Sequence, residues 1–582
     1  MRKVISILLI LLGTSFAGQN SLPKYWIFFT DKDLHSAQDT TAALKNAEAR
    51  LTGRSLARRA KSLSQDALVD WYDIPVSKNY IKSIEAYGVQ IIHKSRWLNA
   101  VSIRANSAAI DKLVQLPFVK RISLVAVQRS PFRTTETPDY GLTERQLEIS
   151  NIPALHRIKT FGYGVLLCIT DTGFKFSHIA TENAEVVAQY DFVCNDSIVD
   201  LEEGDNPSVI SHGTRVWSEI AGRIPGTYWG VAPEASFLLA RTEDVDSEWV
   251  GEEDNWAAAA EWADSIGADI ISVSLGYYSW YTYDQMNGDS AIITIAADRA
   301  AYLGIAVFTA AGNSGGYRTL VAPGDGDSVI TVGACDSYGT ICGFASKGPT
   351  ADGRLKPDIV THGAGTYVAD PYSDSLFYSC SGTSMATPIA AGIGALILQL
   401  RPSMTPMDLL NVLKMTANNT TTPDSAQGWG IIDACAAVAY PFNDTSIIIL
   451  EAGWNIVALS VDSAIATDAL PIVSPAYAYD DSIYIEVDTL IPGKGYFVLS
   501  LVDTFFTISG ETIDDIEFEI AQGWNLIGGL SRRTFVTEID EFPITPEFFM
   551  VSNNTYFISK SLIPGQGGWF FSLTDRTVHL LE

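Results

Sequence analysis

A set of short, unbroken apolar runs constrains this chain more than any other feature. They are Val165 to Thr170, Phe237 to Ala240, Ile270 to Leu275, Ala306 to Ala310 and Val329 to Ala334. Each is predominantly apolar, with no charged residue and only Ser, Thr or Gly among the apolar ones, which is the pattern of a strand buried on both faces. Helical stretches intervene or follow, among them Asn255 to Ile266 and Thr387 to Leu400. Strands alternating with helices predict an α/β fold, a doubly wound parallel sheet with helices on both faces. On such sheets functional groups gather beyond the C-terminal ends of the strands.

Four short blocks carry polar residues at such positions. Leu166-Leu167-Cys168-Ile169-Thr170-Asp171-Thr172-Gly173 ends an apolar run on a carboxylate. A carboxylate held there can orient an imidazole and stabilise its protonated form. Asp-Thr-Gly also occurs in aspartic proteases, but those need a second such carboxylate and the sequence has no second copy. Ser211-His212-Gly213-Thr214 opens a helical stretch, and His212 can serve as a general base. Ala310-Ala311-Gly312-Asn313-Ser314-Gly315 follows a buried run, and its amide can donate to an oxyanion. Ser381-Gly382-Thr383-Ser384-Met385-Ala386-Thr387-Pro388 starts an Ala/Gly-rich helix, with Pro388 expected in the first turn. A helix N-terminus favours negative charge nearby. An ordinary Ser/Thr cap accounts for one serine but not for the whole octet. His178 lacks such a context and reads as a satisfied core or surface residue.

Each triplet alone is weak, but the order Asp, His, Asn, Ser is not. Asp before His before Ser is the subtilisin order, and the four blocks resemble the motifs of the subtilase family, peptidase S8. Gly230-Val231-Ala232-Pro233, the Ser272 to Gly276 run and Phe344-Ala345-Ser346-Lys347-Gly348-Pro349 resemble further family marks. The resemblance covers about residues 140–442. It implies a serine endopeptidase with Asp171, His212 and Ser384 as its triad. It also implies Asn313 in the oxyanion hole and Ser274, Leu275 and Gly276 on the substrate strand. Such chemistry requires no cofactor. Two residues depart from the pattern. Arg215 stands where a second His is common, and Tyr277 stands where a second Gly is usual, so an aromatic ring is expected to narrow the cleft.

The remaining chain divides by composition. Residues 1–17 read as a signal peptide, with Arg2 and Lys3 before the apolar Val4 to Leu12, a run too short to span a bilayer. Residues 18–130 hold 17 Lys and Arg against 9 Asp and Glu, a net +8, whereas residues 131–582 carry −38. The basic section reads as a ferredoxin-like α+β prodomain with a helix over Ala42 to Ser62. Its Asp73-Ile74-Pro75-Val76 and Ser95 to Val101 resemble the inhibitory propeptides of secreted bacterial subtilases. Residues 131–140 read as a linker, with the maturation cut between Val127 and Tyr140. Residues 141–442 form the expected catalytic domain.

The tail repeats itself. Gly453-Trp454-Asn455-Ile456-Val457 returns as Gly523-Trp524-Asn525-Leu526-Ile527, and Pro492-Gly493-Lys494-Gly495 as Pro564-Gly565-Gln566-Gly567. Two all-β repeats, 445–515 and 516–582, are expected.

The partners that follow are protein or peptide substrates and the chain's own propeptide. The overall charge of −28 disfavours nucleic acid. No transmembrane segment is expected, and the repeats are candidates for contact with a cell envelope. Localisation is expected to be secreted, with medium, cell surface and periplasm left open. The alternative is a non-catalytic, adhesive surface protein on the same scaffold, for which four complete motifs would be superfluous. Asp196, Asp200, Glu202, Glu203 and Asp205 crowd one loop and make structural calcium a candidate, though no ligand spacing is diagnostic and the metal residues are unknown. Cys335 and Cys342 flank a turn and can close a short loop, while Cys168 reads as core. The acidic run Glu252, Glu253 and Asp254 would favour basic substrates if it lined the cleft.

Overall fold

The computed structural model describes residues 24–125 and 143–581, apart from 65–66, 225, 247–249, 474, 481–482, 540–546 and 553–554. The expected signal segment, the linker and the expected maturation cut lie outside the described residues. The chain forms two compact units. Among the described residues, one comprises 24–34 with 75–125, the other 35–74 with 143–581.

The smaller unit is a four-stranded antiparallel sheet in the spatial order Gln90–Ser95, Ala100–Arg104, Lys24–Phe29, Val119–Val125. Helices Lys78–Glu85 and Ser107–Leu113 complete the strand–helix–strand, strand–helix–strand pattern that the sequence predicts. Both begin on side-chain caps. Ser77 accepts from the backbone of Asn79 and Tyr80, and Asn106 from that of Ala109. Ile27, Phe29, Ile84, Val101, Ile103 and Leu113 form its core.

In the larger unit, seven strands make a wholly parallel sheet. The order is Ile359–His362, Ile330–Cys335, Ala306–Ala310, Ile270–Val273, Leu166–Asp171, Ser236–Arg241, Glu185–Asp191. From Leu166–Asp171 the chain goes first to the edge strand Glu185–Asp191, steps back inward to Ser236–Arg241, and then crosses to build the other side outward from Ile270–Val273. The winding therefore reverses next to Asp171, where an open sheet leaves a crevice at the strand ends. The two strands that the sequence does not announce, Glu185–Asp191 and Ile359–His362, lie at the edges. The first is part-exposed, with Glu185 and Val187 open to solvent, and the second is short. Helix Thr383–Leu400 is long and apolar enough to cross a membrane, but 83% of it is buried inside the protein.

The basic helix expected over Ala42 to Ser62 is two helices, Ala37–Glu48 and Gly53–Arg59. Thr52 causes the break, because its hydroxyl caps the second helix by accepting from Ser55 N–H. This second helix ends against two helices of the parallel-sheet domain. The last carbonyls of a helix have no partner within it and attract cations. Thr52 donates to Ile266 O at 2.8 Å and Arg54 to Gly267 O at 2.9 Å, covering the end of Glu252–Ile266. Arg58 donates to Leu303 O at 2.6 Å, at the end of Ile292–Tyr302. Beneath them Arg59 bridges Asp264 at 2.6 Å and Asp73 at 2.8 Å, with all three side chains fully buried.

The tail is the predicted duplication. Each copy holds a two-stranded sheet, a four-stranded antiparallel sheet and a two-stranded clip, in the same order. The repeated Gly-Trp-Asn has a physical reason. Gly453 and Gly523 take φ of +112° and +107°, which disfavour a side chain. Asn455 and Asn525 then stitch the turn, each accepting from and donating to the backbone four residues earlier. The two copies exchange backbone bonds reciprocally, with isolated bridges from Val457 to Gln566 and from Lys494 to Ile527.

The six cysteines are all free thiols. The expected Cys335–Cys342 closure is therefore corrected. Asp336 closes that turn by accepting from Tyr338 and Thr340 N–H at 2.9 Å, so no covalent staple is needed. Cys168 is fully buried in the sheet, as expected.

Removing Arg59 would leave Asp264 and Asp73 buried without their shared cation. Arg59→Ala is expected to destabilise the uncut protein by ~3–5 kcal/mol, read from its denaturant midpoint. A loss under ~1 kcal/mol would contradict this account.

Candidate active site

The sheet and one helix bring Asp171 and His212 together. Asp171 ends its strand completely buried, and both of its carboxylate oxygens lie 2.9 Å from His212 Nδ1. Thr172 N–H also donates to Oδ1 at 2.7 Å. This leaves His212 Nε2 to face outward, on a side chain that is 15% exposed. His212 is the second residue of helix Ser211–Ala221. The helix can start so close to the strand because Gly213 has no side chain. A methyl group there would sit 2.3 Å from Gly173 O and 3.1 Å from Asp171 Cβ. The glycines of Asp-Thr-Gly and His-Gly-Thr thus meet each other.

Ser384 and Asn313 come together at the start of helix Thr383–Leu400. A methyl group on Gly382 would lie 2.8 Å from Ser384 Oγ and 3.6 Å from Asn313 Nδ2, so both atoms border one small space. Asn313 Oδ1 accepts from Thr383 N–H at 2.8 Å and Thr383 Oγ1 at 3.1 Å. That fixes which end of the amide is which and leaves Nδ2–H as the donor toward Ser384. Thr383 is the functional residue that the sequence did not single out, although it stands inside the octet.

Pro388 lies in the second turn of helix Thr383–Leu400, not the first. The cause is that the helix begins at Thr383, four residues before the predicted start. The consequence is useful, because Pro388 has no N–H to give to Ser384 O. Ser274 Oγ takes that carbonyl instead, at 2.9 Å. The expected substrate strand is thereby tied to the backbone of the expected nucleophile. Gly276 is held close to its neighbours, since a methyl group there would meet Val321 Cγ2 at 2.4 Å. Leu275 lies between these two fixed points.

The two departures from the family pattern resolve differently. Arg215 donates to Ser211 Oγ at 2.9 Å and lies 5.2 Å from the Tyr378 ring centre, on the strand leading to Ser384. Tyr277 is only 2% exposed and turns inward to Glu243. It therefore does not narrow the cleft, which corrects the expectation.

The acidic run is corrected too. Glu252, Glu253 and Asp254 are buried and do not line a cleft as free charges. Glu253 accepts from Trp280 Nε1 at 2.7 Å, Tyr281 OH at 2.8 Å and Ile293 N–H at 3.0 Å. Burial, the largest effect on it, pushes its carboxyl up to about 7.

Other groups near the site are structural. His178 is buried, with Nε2 2.9 Å from Leu376 O and Nδ1 accepting from Ala180 N–H, and burial lowers its pKa. It is the satisfied residue expected. Glu219, on the His212 helix, is fully buried, and desolvation holds its carboxyl well above the usual range. In the acidic loop, Asp196, Asp200 and Asp205 accept backbone N–H groups and Asp205 also faces Arg241. Among the described residues no group of three or more His, Cys, Asp and Glu side chains converges on a metal position.

A buried carboxylate on an imidazole, and a serine at a helix start beside an amide donor, are the two halves that a serine hydrolase brings together. Comparison with known proteins agrees. Residues 162–430 match the Subtilase family, and residues 24–139 match the Peptidase S8 propeptide domain of Bacteroidota. Serine protease AprX of Bacillus subtilis is 32% identical over 304 residues, 47% of this chain and 66% of the relative. Subtilisin DY of Bacillus licheniformis is 33% identical over 262 residues, 44% of this chain and 85% of the relative. A thermostable alkaline protease of Halalkalibacterium halodurans is 27% identical over 351 residues, 60% of this chain and 86% of the relative. The chain belongs to the subtilase family of serine peptidases and carries that family's propeptide.

The Ser274 tie carries a prediction. Ser274→Ala leaves Ser384 O without a donor, at a cost of ~1–3 kcal/mol. It should lower kcat/KM roughly tenfold on a peptide substrate, whereas an unchanged value would sink the role given to Pro388.

Proposed function

We propose that the protein is a secreted serine endopeptidase that cuts peptide bonds in protein substrates and is held latent by its own propeptide until cleavage. In this reading Ser384 Oγ attacks the scissile carbonyl. His212 Nε2 takes the hydroxyl proton and then gives it to the leaving amine, while Asp171 fixes the imidazole and stabilises its protonated form. Asn313 Nδ2 and the Ser384 backbone N–H receive the charge that develops on the carbonyl oxygen. The Ser274 to Gly276 segment holds the substrate beside the nucleophile. Groups of the protein itself supply every step in this reading, which calls for no cofactor.

The observation that carries this is the complete burial of Asp171 with both oxygens 2.9 Å from His212 Nδ1. A carboxylate buried this way needs a partner that becomes cationic, and general-base catalysis makes His212 one. Latency is supported by the prosegment helix Gly53–Arg59, whose arginines are anchored in the enzyme domain. Secretion is supported by the signal-like N-terminus and by the match to the Peptidase S8 propeptide domain.

The repeats add an envelope contact to the proposal. It is supported by exposed rings at Trp454, Tyr484, Trp524 and Tyr556. Co-sedimentation with bacterial envelopes should fall when Trp454 and Trp524 are both changed to Ala, and equal sedimentation would remove this role.

The catalytic assignment is tested by kinetics on casein. Ser384→Ala should lose at least ~1,000-fold in rate, and Asn313→Leu about 100- to 1,000-fold in kcat with little change in KM. Wild-type hydrolysis by Ser384→Ala would overturn it.

A further inference from the structure

Two neighbouring helices of the parallel-sheet domain end on glycines, and the prosegment fills the room those glycines leave. Gly267 follows Glu252–Ile266 with φ of +107°, and Gly304 stands just beyond Ile292–Tyr302 with φ of +92°. A left-handed residue past a helix end is commonly glycine. Here the missing side chains also admit a neighbour. A methyl group on Gly267 would lie 2.8 Å from Ser55 N, and one on Gly304 would lie 3.2 Å from Arg58 O. The prosegment helix Gly53–Arg59 thus rests on both ends.

That helix brings guanidinium groups, and the surface beneath it offers acceptors. Arg58 Nη1 donates to Leu303 O at 2.6 Å, while its Nη2 bonds Asp264 Oδ1. Arg59 Nη2 donates to the other oxygen, Asp264 Oδ2, at 2.6 Å. One carboxylate therefore holds two consecutive arginines. Arg54, one turn earlier, donates to Gly267 O at 2.9 Å and Gly164 O at 3.1 Å and pairs with Asp269. Asp269 is fixed from behind by Leu166 N–H at 2.9 Å. A helix C-terminus carries partial negative charge, so the two helix ends add to the two carboxylates. At the border of this wall the sign changes, where Arg299 takes Asp70 of the prosegment at 2.7 Å. The acceptors belong to the enzyme domain, and the arginines they bind belong to the prosegment.

We propose that the mature enzyme uses this wall as a second binding site, an exosite for a pair of adjacent arginines on a protein substrate. Removal of the prosegment uncovers the acceptors. A guanidinium fork takes a carbonyl and a carboxylate at once, as Arg58 does, where a compact ammonium is a single point charge. The body around the wall, residues 131–582, carries a net −38 and draws cationic segments in. The site lies at the far end of Glu252–Ile266 from the substrate strand. The first turn of that helix reaches Trp280 and Tyr281, shortly after Gly276, through Glu253. Fifteen residues at 1.5 Å each separate the helix ends by about 22 Å, which an extended chain covers in about seven residues. A substrate held at both places gains effective concentration at Ser384, which lowers KM and leaves kcat alone.

The inference rests on the peptidase reading, since maturation is what uncovers the wall, and the experiment keeps the two apart. Peptides with the same cleavable bond are compared on the mature enzyme, carrying Arg-Arg or Gln-Gln about ten residues before or after that bond. In one of these placements the Arg-Arg peptide should show a KM about tenfold lower at equal kcat, and a Lys-Lys version should fall nearer the Gln-Gln peptide. A synthetic peptide of residues 50–62 should abolish the difference by competition, whereas its Arg58→Gln, Arg59→Gln version should not. An Asp264→Asn enzyme should treat Arg-Arg and Gln-Gln alike, with wild-type kcat. Should Asp264→Asn fail to fold by circular dichroism, the competition locates the site alone. Equal KM for Arg-Arg and Gln-Gln in both placements would overturn the proposal, as would equal competition by the two versions of 50–62. An enzyme that cuts none of the peptides fails the peptidase reading, and the exosite falls with it.

Discussion

A carboxylate buried completely inside a protein must be surrounded by donors, and that demand on Asp171 organises the site. Burying an ionised group costs several kcal/mol unless its hydrogen bonds are replaced. Thr172 N–H supplies one replacement and His212 Nδ1 the other. The imidazole can come that close only because Gly213 lets a helix start against Gly173 O. The parallel sheet provides the place, since its winding reverses beside the Asp171 strand and leaves the strand end uncovered. The pairing on Asp171 thus draws on sheet order, helix start and glycine placement together.

Helix ends recur as the working parts of the larger unit. At the start of Thr383–Leu400, Thr383 N–H finds Asn313 and Ser384 receives the helix field. Four residues on, Pro388 releases Ser384 O to Ser274. At the far ends of Glu252–Ile266 and Ile292–Tyr302, carbonyls without internal partners are met by Thr52, Arg54 and Arg58 of the prosegment. The same electrostatics serves chemistry at one helix end and attachment at the others. It also accounts for the basic composition of the N-terminal section against an acidic enzyme domain.

Much of this was legible in the sequence. Strands buried on both faces announce themselves as unbroken apolar runs, and motif order relates Asp171, His212, Asn313 and Ser384 before any contact is known. The duplicated tail was legible because Gly and Asn are needed at the same turn twice. What escaped depends on where a side chain points. Glu252, Glu253 and Tyr277 read in the sequence as an acidic run and an odd aromatic in the cleft, yet they face inward and bond to Asp244 N–H, to Trp280 and Tyr281, and to Glu243 respectively. Edge strands such as Glu185–Asp191 escaped because an exposed edge need not be apolar. The split at Thr52 escaped because a cap within a helical pattern is visible only once its N–H partner is in place.

The most direct measurement of the central claim is covalent labelling with an organophosphorus fluoridate, followed by peptide mapping. A serine made nucleophilic by a histidine reacts with such a reagent, while ordinary serines do not. The account predicts one label per mature molecule, on Ser384, and none when His212 is replaced by Ala. A label on another serine, or equal labelling without His212, would contradict it.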